Sequence, residues 1–266
     1  MKSKILLAFK KCKKEKRPAL VTYVVAGDNT IKNSLKILNS IAKYADILEL
    51  GFPHNTPIAD GSQIQNSSHR ALKNGVKLKD VFRIVKKFKN NFPNKPLILM
   101  GYYNLIYQRG ENNFIRDCKS SGVDGLIIVD LPWPENINFA KKCKEKSITF
   151  VQLLSPTTTK ERLKNILNSS HDMNYYISML STTGAKLKVS PKKILKDYKK
   201  IKGVNERKNL VIGFGITSKN ISAFRSSDGC VIGSELCKNI SKSIKNGQNP
   251  VTKLNKLVYK IKDQII

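Results

Sequence analysis

Acidic residues are scarce in this chain: 19 Asp and Glu stand against 49 Lys and Arg, a formal net charge of +30 over 266 residues. Such a surface attracts nucleic acid or anionic membrane without specificity and steers anionic substrates. The lysines occupy the polar side of nearly every helical stretch instead of one stripe. No glycine-aromatic RNA-binding signature and no helix-turn-helix pattern accompanies them, so solvated surface is the expected role. Long apolar runs are missing too. None approaches the roughly 18 residues that a membrane-spanning helix needs, and the apolar stretch Ile5 to Phe9 is shorter than a secretory core of about 7–15 residues. The expectation is a soluble, unexported, cytoplasmic protein. Cysteines number five, Cys12, Cys118, Cys143, Cys230 and Cys237. With an odd count and no CxxC, they read as reduced, buried small hydrophobes. Histidine is limited to His54, His69 and His171, too scattered to join those thiols in a zinc site, so no metal is expected.

What is present is an alternation. Short β-rich runs (Leu20 to Val25, Ala45 to Leu50, Pro96 to Met100, Gly125 to Val129, Ile148 to Leu153, Tyr175 to Met179, Asn209 to Ile212, Gly229 to Ile232) are separated by amphipathic helical patterns. Several runs are continuously apolar, such as LILM and LIIV, as parallel strands covered by helices should be. Ser190 followed by Pro191 is a helix-start signal. Eight βα repeats in about 250 residues predict an α/β fold, a (β/α)₈ TIM barrel. An open doubly wound sheet is the alternative, but VVAGDN after the first strand lacks GxGxxG. No linker or composition shift divides the chain, so residues 1–266 read as a single domain. The amphipathic stretch before the first strand supplies an extra N-terminal helix that could plug the barrel bottom.

In such a barrel, polar residues at the C-terminal ends of strands read as catalytic. Glu49 falls within one residue of the end of the second run, Asp60 lies in the loop after it, and Asp28 and Asp130 follow the first and fourth. An apolar setting of Leu48, Leu50 and Phe52 can raise the Glu49 pKa, while Asp60 in a wetter loop could stay ionised. The two would then serve as a proton donor and acceptor pair with separate tasks. A structural reading remains open, with Glu49 capping a helix or meeting an internal lysine and Asp60 shaping a turn. Glycines recur after the sixth, seventh and eighth runs, in STTGAK, LVIGFGIT and DGCVIGSEL. Such loops form phosphate sites from bare backbone N–H groups. The residues alone thus suggest a barrel enzyme acting on a phosphorylated small molecule.

LELGFPHNTPIADG followed by IQN resembles the signature of the tryptophan synthase alpha subunit family. GDN, MGYYNLIYQRG, GVDGLIIVDLP, TTG, VIGFGI and DGCVIGS resemble that family's other strand-end motifs in the same order. The resemblance covers nearly the whole chain. It implies a carbon-carbon lyase of tryptophan biosynthesis that cleaves indole-3-glycerol phosphate to indole and glyceraldehyde 3-phosphate. It also implies an alpha2beta2 assembly with a beta subunit that holds pyridoxal phosphate and consumes the indole, with no cofactor in this chain. By the same resemblance Glu49 matches the acid/base at indole C3 and the glycerol hydroxyl. Asp60 matches the acid that holds the indole N–H. Gly184, Gly215, Gly233 and Ser234 match the phosphate loops, and Tyr23, Ile64, Met100, Tyr102, Thr183 and Tyr175 match the indole surroundings. The chain departs from the family's common Phe-Ser-Asp at His54, Asn55 and Thr56, and again at Met179 and Ser181 to Gly184. Weaker or altered coupling to the beta subunit is therefore expected. Two rivals stand beside this reading: another phosphate-binding barrel enzyme, which should carry a strand-end lysine, and a basic nucleic-acid-binding scaffold without catalysis.

Overall fold

The computed structural model describes residues 3–178 and 189–266. In chain order it runs α1 (Lys4–Lys14), β1 (Ala19–Val25), α2 (Ile31–Ile41), β2 (Ile47–Gly51), α3 (Ser62–Lys73), α4 (Leu78–Asn91), β3 (Leu97–Gly101), α5 (Tyr103–Arg109) and α6 (Glu111–Ser121). It continues with β4 (Gly125–Ile128), α7 (Ile137–Glu145), β5 (Thr149–Phe150), β6 (Gln152–Leu154), α8 (Lys160–Ser169), β7 (Asn174–Ile177), α9 (Pro191–Val204), β8 (Leu210–Gly213), β9 (Gly229–Ile232), α10 (Ser234–Lys245) and α11 (Pro250–Asp263). The strands form one parallel sheet in the order β5-β4-β3-β2-β1-β9-β8-β7-β6. Its two ends, β5 and β6, are separated in sequence by Val151 alone, so the sheet curls into a nearly closed barrel. The fifth sequence run is thus two short strands. Phe150 pairs with β4 on one side, and Gln152 pairs with β7 on the other.

Strand periodicity of two divides the core into layers. Leu20, Val24, Leu48, Leu50, Leu97, Leu99, Ile212 and Ile232 face outward into the helix layer. Val21, Tyr23, Ile47, Ile98, Met100, Ile127, Tyr175, Val211 and Val231 face into the barrel. Helix α1 closes its lower end. Its buried face, Ile5, Phe9 and Cys12, joins the inner layer and not the outer one. All five cysteines are buried and unpaired.

The lower rim is held by acids that precede strands. Asp46 accepts from the Leu20 N–H at 2.8 Å, Asp124 from Leu97 at 2.8 Å and Asp228 from Leu210 at 2.9 Å. Each also meets a helix-borne lysine, Lys262, Lys89 and Lys202 respectively. These few acids secure the stability face and leave the opposite rim free for chemistry. The Ser190 signal holds as well: its side chain caps the Lys193 N–H at the start of α9.

Candidate active site

Glu49 enters the barrel because Leu48 and Leu50 face outward, and alternation leaves the glutamate on the inner face. It is 0% exposed, and neither carboxyl oxygen has a hydrogen-bond partner. Burial alone pushes its pKa up to about 8, because a carboxylate without donors in an apolar wall is poorly solvated. Among the described residues it neither caps a helix nor meets a lysine. Tyr23, its register partner on β1, and Tyr175 on β7 are buried beside it. Their phenols rise well above the ordinary range, by burial first and then by the charges of Asp60 and Glu49. Two glycines make room for these rings. A Cβ on Gly51 would collide with the Tyr23 hydroxyl, and one on Gly213 with the Tyr175 hydroxyl.

Asp60 ends the loop after β2, just before Gly61 opens α3. Its backbone is fixed by Asp60 N–H donating to Pro57 O at 3.0 Å and by the Gln65 amide donating to Asp60 O at 2.8 Å. The Tyr102 hydroxyl donates to Asp60 Oδ2 at 3.1 Å and accepts from the Ala59 N–H at 3.1 Å. The wetter setting expected for Asp60 is not found. It is only 5% exposed, and burial raises its pKa to about 6 against the lowering effect of Tyr102. It still carries its charge near neutrality. The two acids therefore differ by about two units in the direction that separates their protonation states around pH 7.

A cavity of about 460 Å³ opens over the barrel, lined at its inner end by Tyr23, Glu49, Ile64, Met100, Tyr175 and Val231 and toward its mouth by Gly215, Gly233 and Ser234. Gly215 has φ +70°, a left-handed conformation that favours glycine. Gly233 is the N-cap of α10 and no side chain caps that helix start, so first-turn N–H groups face an anion site of the ordinary kind. The loop is pinned there because Ser218 donates its N–H and hydroxyl to the Glu235 carboxylate, both at 2.7 Å.

The structure brings together eight of the positions expected from sequence: Glu49, Tyr23, Ile64, Met100, Tyr175, Gly215, Gly233 and Ser234. Asp60 and Tyr102 are not among the lining residues; they form a pair beside it, with Ile64 one turn of α3 beyond Asp60. Thr183, Gly184, Met179 and Ser181 lie outside the described residues. Asp28 and Asp130 have structural partners. The Arg70 guanidinium binds Asp28 through two bonds of 2.8 and 2.9 Å. Asp130 accepts the Tyr103 N–H at 2.7 Å and caps α5. Their strand-end position offered these two acids as candidates in the sequence, and the structure gives each a structural role instead. Sequence reading missed Phe214, whose positive φ of 69° turns its ring edge-on to Tyr175 at 6.4 Å. It also missed Gln63, Lys219, Lys238, Asn239 and Lys242 at the mouth. The Gly-Phe-Gly triplet could have flagged the first; the lysines were lost among many.

A family model described as tryptophan synthase alpha chain matches residues 9–266. A tryptophan synthase alpha chain from Pelagibacter ubique is 68% identical over 263 residues, covering 99% of each chain. The crystal structure of tryptophan synthase subunit alpha from Legionella pneumophila superposes with a TM-score of 0.93 at 28% identity, covering 100% of this chain and 99% of that one. A chain of the tryptophan synthase a2b2 complex from Pyrococcus furiosus gives a TM-score of 0.83 at 36% identity, covering 91% and 97%.

Proposed function

The chain belongs to the tryptophan synthase alpha chain family, and from that premise we propose how its own residues divide the reaction. It is a carbon-carbon lyase that cleaves indole-3-glycerol phosphate to indole and glyceraldehyde 3-phosphate, the indole passing to a beta subunit for L-tryptophan synthesis. The barrel and the cavity support a division in which Glu49 moves protons and Asp60 holds charge.

Retro-aldol cleavage requires indole C3 to become tetrahedral, which places positive charge at the ring nitrogen. Glu49, with its pKa near 8, is protonated at neutral pH and donates that proton to C3. The carboxylate left behind is a stronger base than an ordinary glutamate. It then takes the proton of the glycerol hydroxyl as the C–C bond breaks and the aldehyde forms. The proton lent is returned to Glu49. Asp60, ionised above about pH 6, accepts the indole N–H, and its fixed charge is worth most when the indolenine cation develops. Tyr23, Ile64, Met100, Tyr102, Thr183 and Tyr175 would surround the indole, and Gly184, Gly215, Gly233 and Ser234 would carry the phosphate.

The observation that carries this reading is Glu49 itself: a fully buried carboxyl without a partner, facing a cavity whose other end offers backbone N–H groups. Nothing in the packing explains it as a stabilising residue. Pyridoxal phosphate belongs, on this reading, to the beta subunit in an alpha2beta2 assembly, and this chain's reaction uses no cofactor of its own. Residues 1–266 act as one barrel domain, supported by the single sheet. No described helix is long and apolar enough to cross a membrane, in keeping with a cytoplasmic site of action. The test is indole release by wild type beside Glu49→Gln, with and without a beta subunit. Activity raised by the beta subunit and abolished by Glu49→Gln is expected; persistent activity in the variant overturns the assignment.

A further inference from the structure

The phosphate end of the cavity is lined by three lysines that the reaction scheme leaves unused: Lys219 in the loop after β8, and Lys238 and Lys242 one turn apart on α10. The two on α10 share a helix face with Glu235 and Asn239, which line the same cavity. All three lysines are exposed. None is in an ion pair among the described residues, although lysines on the lower rim, Lys89, Lys202 and Lys262, are each matched to an aspartate. The acid closest in sequence, Glu235, has both carboxyl oxygens engaged by Ser218. It fixes the loop and keeps its own charge, so one carboxylate stands against three ammonium groups and the mouth retains a net positive charge.

A phosphate monoester carries about −1.5 to −2 charges near neutrality. Backbone N–H groups satisfy its oxygens, and a helix N-terminus offsets only about half a charge. Three ammonium groups against the single Glu235 carboxylate at this mouth supply the remainder. We propose that Lys219, Lys238 and Lys242 form a basic collar that captures the phosphate end of the substrate and selects phosphorylated over unphosphorylated indole glycerol. The proposal rests on the placement of phosphate at Gly215, Gly233 and Ser234. The collar stands off the reacting carbons, so it acts on capture and leaves the chemical step alone. Through about 10 Å of water, and with the residual screening of low ionic strength, each ammonium changes the binding of such a phosphate roughly twofold, so three together give about tenfold, and higher salt screens most of it.

The test measures indole release by the full chain with saturating beta subunit, using a Lys219→Gln, Lys238→Gln, Lys242→Gln triple variant. A Lys79→Gln, Lys86→Gln, Lys87→Gln triple on α4 has the same charge change, and none of its residues lines this cavity. The collar variant should raise KM for indole-3-glycerol phosphate about tenfold at low salt and about twofold at high salt, with kcat held within about twofold. Its KM for unphosphorylated indole glycerol should equal that of wild type. An unchanged KM, an equal rise in the α4 control, or a matching fall in kcat overturns the collar. If wild type itself fails to discriminate between the phosphorylated and unphosphorylated substrates, the phosphate placement is wrong and the collar falls with it.

Discussion

Replacing Glu49 by Gln should inactivate the enzyme and stabilise it in a pH-dependent way. In the unfolded chain the carboxyl titrates near its ordinary 4.5, and in the fold burial lifts it to about 8. Between those values the folded state binds one proton more than the unfolded state. Stability therefore falls as pH rises across that window, by up to about 1.4 kcal/mol per unit, and levels off above about 8. Below the unfolded value both states are protonated and the stability is fully retained. Gln has no such proton. Going from about pH 5 to pH 8, the variant should gain about 3 kcal/mol relative to wild type. Asp60, raised from 3.8 to about 6, adds its own slope, but it is present in both proteins and drops out of the difference. Urea denaturation at several pH values, with m unchanged, measures the gain. Activity should fall by about 10²–10⁴-fold. A stability difference that stays flat from about pH 5 to 8 would refute the argument, because it would mean that Glu49 ionises in the fold as readily as in water.

Because the reaction needs Glu49 protonated and Asp60 ionised, kcat/KM should be bell-shaped, with limbs near 6 and 8. Tyr102→Phe removes the hydroxyl that favours the Asp60 anion, so the acid limb should move upward while the alkaline limb stays. Arg70→Ala leaves Asp28, 1% exposed, without its guanidinium partner and should cost about 3 kcal/mol in chemical denaturation. A smaller loss than about 1 kcal/mol would show that water reaches the carboxylate. At His54, Asn55 and Thr56 the departure from the family's common loop predicts weaker activation by a family-typical beta subunit than by the chain's own partner. Equal activation in indole-release assays would sink that expectation.

The sequence by itself determined the strand and helix alternation, because periods of two and 3.6 are written in the order of apolar residues. It also determined which face each strand residue takes. Leu48 and Leu50 outward force Glu49 inward, and the same parity puts Tyr23, Met100, Tyr175 and Val231 around it. Three matters were decided only by tertiary packing. The fifth run splits at Val151 because its halves pair with strands at opposite ends of the sheet. Asp28 and Asp130 left the list of candidate acids because Arg70 and the Tyr103 N–H reach them, and such partners lie too far away in sequence to be seen from local pattern. Asp60 proved buried and not wet because Tyr102, from the end of another strand, folds over it. The lysine collar shows the same limit, since 49 Lys and Arg are equivalent on a sequence line, and only the fold selects the three that face the cavity.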